Sequence, residues 1–375
     1  MIAAYIHRLD PYAIQFTETI GIRWYGLAYV AGFVIGGLLV RWMLRRMKAP
    51  LKPEQVWDFV LAVAVGTVVG GRLGYCLFYK PELFITFDDS FPWWAVLAIN
   101  QGGMSSHGGI IGIIAAGFYF AWSRSVSKLH LLDVASVGGP LGIMFGRIAN
   151  FINAELLGRI ASPDLPWAVK FPQEIVDWHS RENPHPLRHL IDSPAMQQAE
   201  QVAKDLNPAL AEIPASRLFE LHQHMAQMAI DSPTMAQALA EVVPARHPSQ
   251  LYEAALEGLL LFLVVFFIWA KPRNPGVIAG IFGVVYCTVR IIGEQFRLPD
   301  LHIGFELFGL TRGQWLSIAF LIGSVSLLIY WSRRPVPKIG GWASPATEPP
   351  QPPSVGTPEG TDEPRRHEGH EDGSR

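Results

Sequence analysis

Three stretches of this sequence place polar, chemically capable side chains inside apolar surroundings. In GVVYCTVRIIGEQFR, Tyr286, Arg290 and Glu294 recur at intervals of four, which stacks them as one stripe on a helix. In GRIANFINAELLGR, residues 146–159, a helical reading puts Arg147, Asn150 and Ala154 on one face, with Glu155 and Gly158 close beside it. Two guanidiniums at comparable depth can grip a phosphate, because the planar fork matches its oxygens. In QGGMSSHGGIIG, His107 enters an apolar segment among Gly102, Gly103, Gly108, Gly109 and Gly112. Imidazole, whose unperturbed pKa lies nearest neutrality, could act there as a general base.

Each set also has a plainer reading. Arg147 could snorkel to an interface while Asn150 and Asn153 cap a helix end. Arg290 and Glu294 could form a structural ion pair between turns. The glycines suit close helix packing, which would leave His107 a satisfied core residue. Tyr25, in RWYGL, sits where a belt tyrosine is the default. Arg72 is a further buried charge, and HPSQLYEAALEG brings Gln250, Tyr252, Glu253 and Glu257 to a span's start, with Glu253 and Glu257 on one face. Any of these could only hydrogen-bond across helices. Against the plain readings, a charge within a span costs at least ~2.5 kcal/mol and so normally faces a cavity or a partner.

The elements that must position these groups follow from composition. The 375 residues are 50% hydrophobic and 17% charged, with mean hydropathy +0.23, which is the profile of a polytopic membrane protein. A net charge of -2 argues for no polyanionic partner, nucleic acid included. Apolar segments long enough to cross ~30 Å of hydrocarbon fall near 22–43, 56–79, 106–123, 131–152, 250–270, 276–296 and 313–332. The stretch 91–99 is too short to cross and suits the interface.

Lys and Arg cluster in every second loop: Arg41 to Lys52, Arg124 and Lys128, Lys271 and Arg273, and Arg333 to Lys338. That alternation predicts an outward N-terminus and a cytoplasmic C-terminus. The expected fold is therefore an all-α polytopic membrane protein of seven transmembrane helices. Its organisation is 1–152 as four helices, 153–247 as an outward (periplasmic) helical domain, 248–338 as three helices, and 339–375 as a disordered cytoplasmic tail rich in Pro, Gly and Glu. The opening residues, with Asp10, Pro11 and Glu18 before any long apolar run, do not read as a cleavable signal peptide.

Cys76 and Cys287 lie in apolar stretches and meet no metal-ligand spacing. Phosphate-binding loops, dinucleotide fingerprints, nucleophile elbows and zinc-protease pairs are missing. Metal and soluble-cofactor chemistry are not expected. A transporter or channel would also carry buried Arg, Glu and His, but internal repeats are absent and the polar groups gather toward the outer half. An assembly or receptor protein working through 160–245 is the other alternative.

Taken together, these motifs resemble the prolipoprotein diacylglyceryl transferases. GRIANFINAELLGR is similar to that family's signature, and RWYGL, SSHGG, HPSQLYE and RIIGEQFRLPD accompany it in family order over about residues 20–332. The resemblance implies a bacterial plasma-membrane enzyme acting, without a cofactor, at the first step of lipoprotein maturation. It would move the diacylglyceryl group of phosphatidylglycerol to the lipobox cysteine in a prolipoprotein signal peptide, forming a thioether and releasing glycerol phosphate. By the same resemblance Tyr25, His107, Arg147, Asn150, Glu155, Gly158, Tyr286, Arg290 and Glu294 are the essential residues. Arg147 and Arg290 would hold the phosphate, oriented by Glu294 and Glu155. His107 would be the base, with Tyr25 and Asn150 positioning the head group, and Asn150, Glu155, Gly158 and Tyr286 would line the lipid site. The segment 174–243 and the tail match nothing in that pattern.

Overall fold

Each of the seven apolar segments folds as a helix, and most are started by a side chain that satisfies early backbone amides. In the computed structural model, which describes residues 4–17, 21–47, 49–89, 91–99, 102–162, 164–180, 185–299 and 304–341, the first four are α1 (Trp24–Leu44), α2 (Val56–Phe78), α3 (Ser106–Ser123) and α4 (Lys128–Ile152). After α5 (Pro194–Leu206), α6 (Leu218–Asp231) and α7 (Pro233–Ala240) come α8 (Ser249–Trp269), α9 (Val277–Gly293) and α10 (Arg312–Ser332). Ser105 accepts from the Gly108 amide, Ser127 from His130 and Thr311 from Gln314, the N-cap role these short hydroxyl side chains fill. The start of α9 is capped from outside: Asp133 of α4 accepts from the amides of Gly276 and Ala279 at 2.7 and 2.9 Å.

Five of these helices are long and apolar enough to cross a membrane: Trp24–Leu44, Pro53–Phe78, Lys128–Ile152, Ser249–Trp269 and Arg312–Ser332. The other two carry shorter apolar stretches, His107–Ser123, which ends where expected, and Val277–Gly293. The latter stops three residues before the expected end because Glu294–Phe296 form a turn. The helices leave large apolar side chains outward, including Leu61, Ile111, Phe267 and Phe320, a surface that a soluble protein would bury and that lipid covers.

Small residues set how closely the helices meet. A Cβ added at Gly74 would lie 2.6 Å from the Gly108 Cα, and one added at Gly32 2.8 Å from the Gly142 Cα. These contacts clamp α2 to α3 and α1 to α4, as glycine seams do between membrane helices. Beyond them a core of Met43, Val56, Val137, Leu261, Val265 and Ile278 joins α1, α2, α4, α8 and α9.

The insert between α4 and α8 has its own apolar core, built around Ile175, Trp178, Met196, Met225, Met235 and Leu239. It is not confined to 153–247. Strand β1 (Tyr5–Ile6) pairs in parallel with β2 (Val169–Lys170). The Arg8 guanidinium donates to the carbonyls of Ala229, Ile230 and Asp231 at the end of α6, where a cation satisfies orphan acceptors and the helix dipole. The N-terminal residues thus pack with the insert, while α4 ends at Ile152. Beyond α10, Ile339 and Arg273 exchange backbone hydrogen bonds of 2.8 and 3.0 Å. Residues 342–375 lie outside the described residues, as do Glu18 and Lys48.

Candidate active site

Three helices converge on one charge cluster. Gly258 of α8 lies against Met144 of α4, so close that an added Cβ would sit 2.8 Å from the Met144 Cα. That approach brings Glu257 to Arg147, one helical turn beyond Met144. Residues Ala254–Leu260 form a π-helical segment, a widened turn often found at functional sites. Both Glu253, just before it, and Glu257, within it, reach both arginines.

Arg147 donates from Nε and Nη2 to Glu257 Oε2 at 3.3 and 3.0 Å, and its Nη1 lies 3.0 Å from Glu253 Oε2. Arg290 Nη1 donates to Glu253 Oε1 and Glu257 Oε1, each at 3.0 Å. Its Nη2 is 3.2 Å from Glu294 Oε2, and Arg297 Nη1 stands 3.8 Å from Glu253 Oε1. Glu294 is fixed in turn by the Thr311 hydroxyl, which donates to Oε1 at 3.1 Å. Tyr286, one turn before Arg290, is within electrostatic reach of Glu257, Arg290 and Arg147.

The two carboxylates shared by the arginines are sealed, Glu253 at 1% and Glu257 at 0% exposure, whereas the Arg147 and Arg290 side chains retain 16% and 14%. The accessible edge of the cluster is therefore cationic and its back is anionic. Such an edge can receive an anion without reorganising, because the carboxylates already fix where the N–H groups point.

A second group adjoins it. The Asn150 Nδ2 donates to the Tyr25 hydroxyl and, at 3.3 Å, to Glu155 Oε2; the Tyr25 hydroxyl donates to the same Oε2 at 3.0 Å. Glu155 therefore orients Tyr25 and Asn150 and makes no ion pair with Arg147, contrary to the expectation that it aims the arginine. The reason is local. Helix α4 ends at Ile152, and Ala154 and Leu156 take positive φ of 54 and 53°, strained values for residues with a Cβ. The reversal turns Glu155 back toward α1, so Ala154, Glu155 and Gly158 do not continue the α4 face. Gln250 holds the turn by donating to the Glu155 carbonyl, and the Ser249 hydroxyl donates to that of Leu156.

A profile of the prolipoprotein diacylglyceryl transferase family matches residues 11–330. The chain belongs to that family. Among its relatives, the phosphatidylglycerol–prolipoprotein diacylglyceryl transferase of Bdellovibrio bacteriovorus is 46% identical over 343 residues, covering 90% of this chain and 97% of the relative. Enzymes of the same name from Nitrobacter winogradskyi and Burkholderia ambifaria are 37 and 36% identical, covering 86 and 87% of this chain and 89 and 96% of theirs. The protein is thus a transferase of the lipoprotein-biosynthesis type.

Within this transferase the remaining expected residues are placed differently. Gly158 is buried, its carbonyl accepts from Arg246 Nη1 at 2.8 Å, and an added Cβ would run into the His247 carbonyl. It serves as a backbone junction between the turn after α4 and the segment before α8. His107 is exposed in the first turn of α3 and makes no hydrogen bond to the cluster among the described residues. Arg72 is structural: its guanidinium donates to the carbonyls of Val96, Ala95, Gly102 and Gly103 at 2.6–3.1 Å, holding the loop that leads to His107. Sequence reasoning left Glu253 and Glu257 as general cross-helix bonders and gave Arg297 and Thr311 no part. Only the two glutamates' shared face gave a signal.

Proposed function

We propose that this transferase moves the diacylglyceryl group of phosphatidylglycerol to the lipobox cysteine of prolipoproteins, the first step of bacterial lipoprotein maturation. The names of its relatives state those two substrates, and the cationic edge presented by Arg147 and Arg290 over two sealed carboxylates carries the reading for this chain. In the reaction a bond forms between the cysteine sulfur and the glycerol carbon. The bond from that carbon to the phosphate oxygen breaks, and glycerol phosphate leaves with the electron pair. Arg147 and Arg290 bind the phosphate and stabilise the charge it gains, while Glu253, Glu257 and Glu294 keep the guanidiniums aimed. Tyr25, Asn150 and Glu155 hold the head group's hydroxyls, and Tyr286 closes the site beside Arg290. His107 accepts the thiol proton, since the thiolate is the nucleophile.

In this reading the seven apolar helices span the plasma membrane, the N-terminus and insert face outward, and the C-terminus is cytoplasmic. The test is mass spectrometry of a lipobox peptide incubated with the purified protein and phosphatidylglycerol. A diacylglyceryl increment on cysteine is expected, and Arg147→Ala lowers its rate by at least about 100-fold, the usual scale for losing a preorganised donor. An unchanged rate in Arg147→Ala excludes the phosphate clamp.

A further inference from the structure

A cavity of about 750 Å³ opens beside this site. Its walls come from four separate pieces of chain: His7 from the N-terminal segment, Asn153 and Glu155 from the turn after α4, Gln173, Gln223 and Gln227 from the insert, and Arg297 from the segment after α9. Two of its residues tie it to the chemistry. Glu155 accepts from the Tyr25 hydroxyl, and Arg297 stands 3.8 Å from Glu253. A substrate whose reacting atom lies at the arginines therefore has its outward continuation at the mouth of this space.

The lining also indicates what would fill it. The Asn153 Oδ1, both Gln173 amide atoms and both His7 ring nitrogens are buried and meet no well-formed hydrogen bond among the described residues; His7, 0% exposed, has the Gln173 side chain and the Phe151 backbone as its polar neighbours. Buried donors and acceptors normally have partners, yet five such atoms gather where the N-terminal segment, the turn after α4 and the insert meet. The soft terminal torsions of Asn and Gln let them turn toward an entering group. The set mixes donors and acceptors, as does an extended peptide backbone, which offers both at every residue. Charge argues against an anion. Glu155 and Asp177 outnumber Arg297 on this lining, and burial holds His7 and His185 down at about 4, neutral.

We infer that this cavity binds the extended prolipoprotein backbone just after the lipobox cysteine, so that the insert is a substrate-docking wall. The inference rests on the transferase reading above. The volume is that of a site for a small ligand or a few residues, and β1, β2 and the insert wall already hold neighbouring backbone by the same kind of hydrogen bonds.

The experiment uses the full chain in detergent with phosphatidylglycerol and two lipobox peptides. One ends at the cysteine as an amide; the other continues for about six uncharged residues, about 20 Å when extended. The longer peptide is expected to show a KM about tenfold lower. Gln223→Trp combined with Gln227→Trp, two exposed positions, fills the mouth and raises the longer peptide's KM to that of the shorter. It leaves kcat, the shorter peptide's KM and the phosphatidylglycerol KM unchanged, which also reports an intact fold. Equal KM values in the unmodified enzyme overturn the inference while sparing the transferase reading. A double variant that instead raises the phosphatidylglycerol KM assigns the cavity to the head group and overturns it too. If neither peptide gains mass, the reading and the inference fall together.

Discussion

Glu257 touches both Arg147 and Arg290 through different oxygens, at 3.0 Å each, and so sets the angle between two guanidiniums that stand on different helices. Removing its charge leaves both cations in place but frees their orientation. In Glu257→Gln, kcat for transfer should fall by about 100-fold, ~2.7 kcal/mol of transition-state stabilisation. The KM for phosphatidylglycerol should change by less than about threefold, since the cationic edge persists. Steady-state kinetics with a lipobox peptide separate the two, and a rise in KM with kcat intact would show that Glu257 serves binding alone. Gly158 makes the opposite kind of demand. An added methyl meets the backbone oxygen of His247 and lies 3.1 Å from that of Phe296, neither of which is a side chain that can rotate away. Gly158→Ala should therefore cost about 1–3 kcal/mol of stability and lower the yield of folded protein in detergent. The KM of whatever folds should stay normal, whereas a head-group role would raise KM in a stable protein.

At the scale of elements, the apolar helices were readable because each is a long run of one character, and length alone separates them from strands. The turn at Ala154 and Leu156 was not. A non-glycine residue at positive φ carries no mark in the sequence, and without it Glu155 falls by default on the α4 face. The pairing of β1 with β2 was equally hidden, since two residues joining across more than 160 positions leave no periodic pattern. That pairing buries His7 against Phe151 and Phe171, with ring centroids 5.3 and 5.1 Å away, and burial holds its imidazole down at about 4. The unfolded chain binds this proton near 6.5, so between those values the unfolded state carries more protons than the native one. The stability His7 confers is complete above about 6.5 and is lost as pH falls toward 4, up to about 3 kcal/mol. Glu174, raised to about 7 by burial against the pull of Arg246, contributes the opposite slope, so the contrast must be taken between variants. His7→Phe keeps the ring contacts and removes the proton site. Its melting temperature should drop less than that of the unmodified protein when the pH is lowered from 7 to 4.5. Equal drops would mean that His7 stays accessible to protons in the folded protein.

Across the whole molecule, one set of charges sits together in the cluster between helices and another sits in the loops. The charge cluster was half legible. Arg147, Arg290 and Glu294 announce themselves as charges in apolar runs, but their counter-ions Glu253 and Glu257 are on a helix whose neighbours no local spacing reveals. The topology is the larger statement resting on loop charge, because Lys271 and Arg273 follow α8 on one side while the insert between α4 and α8 lies on the other. If the positive-inside reading holds, the insert is outside the cell membrane and the 271–273 loop is within. Both native cysteines, Cys76 and Cys287, are buried, so single introduced thiols can report sidedness without a cysteine-free background. Gln201→Cys on α5 should react with a membrane-impermeant maleimide in spheroplasts. Lys271→Cys should react only after the membrane is permeabilised. Labelling of Lys271→Cys in intact spheroplasts, with Gln201→Cys silent, would invert the protein. The arginine edge and the cavity beside it would then face the cytoplasm, where the proposed outward peptide segment could not reach them.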